Sequence, residues 1–370
     1  MKHLGGFPPY LLPEIKEIIN LLSPHTKRAY FVGGCVRDLL LKNKIKDIDI
    51  EVYDIAPETF DSLMQSVGAL GVGKSFFVYK YKNIDLAMPR IEQKNGTGHK
   101  AFEVSLTQDE KIASKRRDFS MNTLMQNIFD GEFLDFWGGA SDIHKKLIRL
   151  IDVAAFREDS LRVLRAVGFA SRFDFQIEEK TLAVMKEMDL SDLSRTRVFW
   201  ELQKLFFAKH LHIGLRYFYE LGLFEKIFSL HVNSFDVEKA ALELEDIYKE
   251  KELDEYYFLY ITSGILRLNI KELLGKLEVP NSYHQIFRYQ PFIKNPTDKE
   301  LLEIAMHIPI KRWLGNYQKG IKERAVKLGV FESIYTGGVD IQDVIRDGFE
   351  KEAIKKEYER RVLESISKKI

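Results

Sequence analysis

At 370 residues, 45% hydrophobic and 30% charged, the chain is too long for one small domain and too apolar for a disordered one. Its 56 Lys and Arg stand against 55 Asp and Glu, so no overall basic field marks a nucleic-acid partner and any such binding must come from local patches. The single Cys35 excludes an internal disulfide framework, and the His and Cys residues show no zinc-ligand spacing.

The opening segment MKHLGGFPPYLLPEIKEIINLL is broken by prolines and charges, unlike a signal peptide, and no apolar run of 18 residues follows it. A cytoplasmic protein is expected. Pro13 predicts a helix start, Ala29–Val32 a short apolar strand, and the period-2 alternation of KDIDIEVY a strand over 46–53. Pro57 predicts a further helix start. SFFVYKYKNIDLAM predicts two strands joined by a tight turn at Lys82-Asn83. From about residue 151 apolar residues recur at helical spacing with no convincing strand, so a mixed α/β head followed by an elongated all-helical array is expected.

Several short motifs carry chemistry. Gly33 and Gly34, in VGGCVRD, stand between a strand and a helix start, where backbone amides and Arg37 can approach a phosphate. The same residues also suit a plain strand-to-helix turn. Asp47 and Asp49 stand at i and i+2 on the predicted strand, on one face and about 6 to 7 Å apart, a spacing that can hold hard divalent cations. An exposed strand face would carry the same pattern. Glu51 continues that face and either joins the site or meets solvent. Asp85, on a later strand, either supplies a third carboxylate or faces water. Arg116 and Arg117 open RRDFSMN, with Asp118 and Asn122 placed to order that loop. Asp159, Arg162 and Arg165 follow at intervals of three on a helix predicted to begin near Glu158, and so share one face.

Taken in this order, GGCVRD, DID, KRRDFSMN and REDSLRVLR resemble the class II tRNA nucleotidyltransferase (CCA-adding enzyme) and poly(A) polymerase family, of the polymerase-β-like superfamily. The match runs over approximately residues 28 to 205. The resemblance implies an α+β nucleotidyltransferase head at 1–145, a helical neck at 146–207, a body at 208–275 and a tRNA-binding tail at 276–370. It implies transfer of C and A nucleotides from CTP and ATP to the 3′ end of tRNA, no membrane and no protein partner. Asp47 and Asp49, with Asp85 held more loosely, would bind two Mg²⁺ ions. Gly33, Gly34, Arg37, Arg116, Arg117 and Arg165 would hold the nucleotide, Asp159 and Arg162 would read its base, and Glu158, Arg197 and Glu201 would brace the reading helix. Gly168 stands where many members carry another Arg.

Within the family, CC-only addition, A-only addition and poly(A) synthesis stay open, as does a non-catalytic RNA-binding relative. Gly73-Lys74-Ser75-Phe76 replaces the Gly-Arg-Arg-Phe type segment of bacterial poly(A) polymerases, which favours tRNA as substrate, and the loop KNGTGHKAFEV has ordinary length where the resemblance implies a shortened one for a CC-only enzyme. Residues 301–370 hold 14 Lys and Arg against 11 Asp and Glu, a surplus compatible with gripping RNA.

Overall fold

The protein is described by a computed structural model covering residues 12–71, 78–94, 102–250 and 254–369. The first eleven residues, the Gly73–Phe76 segment and most of the loop after Lys94 lie outside the described residues. Two compact units divide the chain, Met1–Leu193 and Ser194–Ile370, the division falling inside the 146–207 segment expected as a neck.

In the first unit, α1 (Pro13–Leu22) starts on its proline and buries Ile15, Ile18 and Leu22, a stripe at helical spacing. Strand β1 (Ala29–Val32) is buried at all four positions, as suits a central strand covered on both faces. Gly33 then turns the chain with φ 68° into α2 (Gly34–Leu40). Strand β2 (Ile48–Val52) is followed by α3 (Pro57–Ser66), β3 (Leu70–Gly71), β4 (Val78–Tyr81) and β5 (Ile84–Ala87). Lys82, at φ 56°, makes the expected turn between β4 and β5. After the hairpin β6 (Arg90–Lys94) and β7 (Phe102–Leu106) come α4 (Glu110–Lys115), β8 (Met125–Asn127), β9 (Phe133–Leu134) and α5 (Gly139–His144).

Seven of these strands form one sheet in the order β3-β4-β5-β2-β1-β8-β9, with β6 and β7 paired apart from it. Strand β2 pairs antiparallel with β1 and parallel with β5, and the parallel register sets Asp49 beside Asp85. That register brings together two carboxylates 36 positions apart in the chain.

The unit closes with β10 (Leu147–Ile148), α6 (Val153–Arg157), α7 (Leu161–Phe173), β11 (Gln176–Ile177) and α8 (Glu179–Glu187). Three expectations need correcting. The acidic strand starts at Ile48, so Asp47 lies just before it, because the backbone N–H of Ile48 bonds to Asn83 O and only there joins the sheet. The helix expected near Glu158 starts at Leu161: the Asp159 carboxylate accepts the N–H of Leu161 at 3.2 Å, a local turn that competes with helix. Strand β11 pairs in parallel with β10 inside the stretch read as purely helical, too short to show a period.

In the second unit the described residues form helices and 3₁₀ turns, from α9 (Arg195–Phe206) to a final helix at Glu352–Lys369. One of its cores gathers Leu301, Leu302, Ile310, Ile321 and Ile366 around Trp313, fully buried with Nε1 donating to Pro291 O at 2.9 Å. With a mixed-sheet head and helices beyond it, the fold is α+β. No helix among the described residues is long and apolar enough to cross a membrane.

Candidate active site

A cleft of about 410 Å³ in the first unit is lined by Gly33, Gly34, Arg37, Asp49, Arg116, Arg117, Asp118, Asn122, Asp159, Arg162 and Arg165. Four separate stretches of sequence meet there. The turn after β1, the middle of β2, the loop after α4 and the start of α7 each supply residues.

The turn is held from beneath. Arg37 is 4% exposed, its Nε and Nη2 donating to Asp38 Oδ1 at 3.0 and 2.9 Å and its Nη1 to Asn122 Oδ1 at 2.6 Å. The guanidinium also lies 4.8 Å from the Phe173 ring centre and 5.2 Å from that of Phe169. Asn122 in turn donates Nδ2 to Asp118 Oδ1 at 2.8 Å, and Asp118 Oδ2 takes Arg165 Nε at 2.8 Å. A relay of hydrogen bonds therefore runs from the glycine turn to α7. Burial would push the Asp118 carboxyl up, but Arg165 and Asn122 outweigh it and hold it below the usual carboxylate range.

Asp49 is half-buried while Asp47 is exposed and does not line the cleft. Burial, then the charge of Asp85, then those of Asp47 and Glu51 push the Asp49 carboxyl up to about 6 against the pull of Arg117. Crowded hard oxygen donors of this kind fit a divalent cation, whose charge would relieve their repulsion. The three aspartates do not close into a ready-made set: among the described residues no three His, Cys, Asp or Glu gather as metal ligands. Asp85 meets Lys80 Nζ at 3.7 Å.

Glu51 settles its open reading in a third way. It is 3% exposed, accepts hydrogen bonds from Arg116 Nη2 at 3.1 Å and the Tyr53 hydroxyl at 3.0 Å, and forms an ion pair with Arg117 Nη2 at 3.0 Å. Burial raises its carboxyl, but Arg117 and Arg116 outweigh that and leave it below the ordinary value. The carbonyl of Arg116 also accepts Arg162 Nη2 at 2.6 Å, while Arg162 Nη1 reaches Ala155 O at 2.9 Å.

Behind the loop, Gly139 packs so closely that a Cβ there would come 2.2 Å from Ser120 O, which fixes glycine at the start of α5. Glu158 ends α6 and is half-buried. Gly168 is buried in α7, and an added Cβ would meet no atom within 4 Å. Arg197 and Glu201 fall one turn apart on α9 of the second unit, where Glu201 is buried and takes Lys204 Nζ at 2.8 Å. Sequence reasoning missed the roles of Asp38 and Tyr53. Asp38 had a signal, standing beside Arg37 in the glycine motif; Tyr53 had none.

The sequence matches the Poly A polymerase head domain over residues 29–149 and the family described as probable RNA and SrmB- binding site of polymerase A over 174–233. A CCA-adding enzyme of Lactococcus lactis subsp. cremoris is 30% identical over 282 residues, covering 73% of this chain and 68% of that one. The chain belongs to the class II tRNA nucleotidyltransferase (CCA-adding enzyme) and poly(A) polymerase family. A multifunctional CCA protein of Mannheimia succiniciproducens, 27% identical, extends the likeness over 90% of this chain and 95% of its own. The fold agrees with that of the Bacillus stearothermophilus CCA-adding enzyme solved in complex with CTP, with a TM-score of 0.69 at 23% identity, covering 98% and 94% of the two chains. Members of this family depend on divalent metal in general, which the carboxylates around Asp49 suit.

Proposed function

We propose that this family member adds CMP and AMP, from CTP and ATP, to the 3′ end of tRNA, working in the cytoplasm with Mg²⁺. The observation that carries the reading is the cleft in which the acidic strand residue Asp49, the arginine pair Arg116 and Arg117, and the Asp159, Arg162 and Arg165 set stand together. Relatives named for CCA addition support tRNA as the acceptor.

Asp47 and Asp49, with Asp85 as a third candidate, would hold two Mg²⁺ ions, which when bound lower the cost of activating the 3′-hydroxyl and of releasing pyrophosphate. The protein's own work is positioning. Gly33 and Gly34 leave room for phosphate against the start of α2, and Arg117 and Arg165 present guanidinium groups to the triphosphate. C and A each set an amino donor beside a ring-nitrogen acceptor. Asp159 would accept from the amino group while Arg162 donates to the ring nitrogen. U and G offer the reverse order, and a buried mismatch leaves polar groups unpaired, so they are rejected. Glu158 would brace this reading set. The segments 1–145, 146–207, 208–275 and 276–370 would serve as head, neck, body and tRNA-binding tail.

Purified protein incubated with tRNA lacking its CCA end, Mg²⁺ and each labelled nucleotide tests this reading. Incorporation of C and then A is expected. Long A tails would make it a poly(A) polymerase, C without A a CC-only enzyme, and no incorporation a non-catalytic relative.

A further inference from the structure

Glu51 lies two residues past Asp49 on β2, yet its surroundings are those of an anchor. Its Oε1 faces both Arg116 Nη2 and Arg117 Nη2, and its Oε2 is taken by the Tyr53 hydroxyl. Tyr53 is fully buried, edge-on to Tyr30 with ring centres 5.6 Å apart. The carboxylate is thus fixed from the core side and presents its other edge to two guanidiniums that come from the end of α4, the nearer of them 65 positions further along the chain. Arg117 gains a second hold at Asn122 O, 3.3 Å away.

Two neighbouring arginines repel each other, and each has long side-chain freedom to lose before it can grip a ligand. A buried carboxylate between them offsets the repulsion and removes that freedom in advance. We propose that Glu51 is a positioning residue for the triphosphate: it clasps Arg116 and Arg117 so that their remaining N–H groups meet the phosphates, and it binds no metal. The inference rests on the reading of this cleft as a nucleotide site. Both its oxygens being engaged by protein donors is what separates it from Asp49.

The test measures binding of inorganic tripolyphosphate, and separately of CTP, by calorimetry in Mg²⁺ without tRNA, on the wild-type chain and on Glu51→Gln. Loosening the clasp should weaken both ligands by about tenfold, because the two arginines it aims grip phosphate and not the base. In turnover the KM for CTP should rise by a similar factor with kcat changed far less, and the Mg²⁺ concentration giving half-maximal rate should stay in place. Glu51→Asp, which keeps the charge at shorter reach, should recover part of the affinity, and it carries the same measurement if Glu51→Gln does not fold. Unchanged tripolyphosphate affinity, absence of tripolyphosphate binding by the wild-type chain, or a shifted Mg²⁺ midpoint would each overturn the clasp. A wild-type chain that binds tripolyphosphate but incorporates neither C nor A would sink the function instead and leave the clasp standing.

Discussion

Arg162 donates Nη2 to the carbonyl oxygen of Arg116 at 2.6 Å. The side chain proposed to read the base is thereby fastened to the backbone of the arginine pair proposed to hold the phosphates. A second carbonyl, that of Ala155 at 2.9 Å, takes Nη1, so the planar fork is set before any ligand arrives. Arg162→Lys offers one ammonium that cannot span both carbonyls and a base. It should lower kcat/KM for CTP by about 10²-fold, and Asp159→Ala should narrow the preference for CTP and ATP over UTP and GTP. Competition assays with all four nucleotides read this, and unaltered rejection of UTP by both variants would remove the base-reading role.

Asp118 makes a prediction about acid. It is 7% exposed and pairs with Arg165 Nη2 at 2.7 Å, so its carboxyl ionises more readily in the folded chain than in the unfolded one. A depressed carboxyl contributes stability that is complete above about pH 4 and fades as pH falls through the folded value. Asp118→Asn should cost about 3 kcal/mol near neutral pH by leaving Arg165 without its counter-charge, and should lose less than the wild-type chain on acidification. Thermal melts between pH 7 and 3 decide it; parallel slopes would mean Asp118 is not the group responsible.

The crowding around Asp49 predicts a trade of stability for function. Its carboxyl is pushed up to about 6, so in metal-free buffer the folded chain loses stability as pH rises from about 4, the unfolded carboxyl's range, and the cost is complete above about 6. Asp49→Asn should therefore raise Tm in EDTA at pH 8 while abolishing nucleotide transfer. A variant that melts lower than the wild-type chain under those conditions would show that the carboxylates do not repel one another as drawn.

Gly168 predicts a gain without a trade. With nothing within 4 Å of an added Cβ, Gly168→Ala should stabilise α7 by about 0.5–1 kcal/mol and lift Tm by about 2 °C. A lower Tm would place hidden neighbours at that position.

How much of this was legible in the sequence depended on distance along the chain. The glycine turn and the Lys82-Asn83 turn are local patterns of turn chemistry, and they stand where the sequence put them, whereas the acidic strand begins at Ile48 and leaves Asp47 just outside it. The onset of α7 lies three residues beyond the one the spacing predicts, because the Asp159 carboxylate takes the N–H of Leu161 in a local turn instead of joining the helical stripe. Glu51 could not be read at all: alternation placed it on the face of Asp49, and only the fold shows Arg116, Arg117 and Tyr53 closing over it. The same holds for Asp118 and Arg165, joined across 47 positions by a hydrogen bond with no sequence signature.

The most direct test is a crystal structure of the chain soaked with CTP and Mg²⁺. The cytosine amino group should lie against Asp159 with its ring nitrogen facing Arg162, the triphosphate against Arg117, and metal density on Asp47 and Asp49. A nucleotide bound away from these residues, or metal seated without either aspartate, would contradict the account.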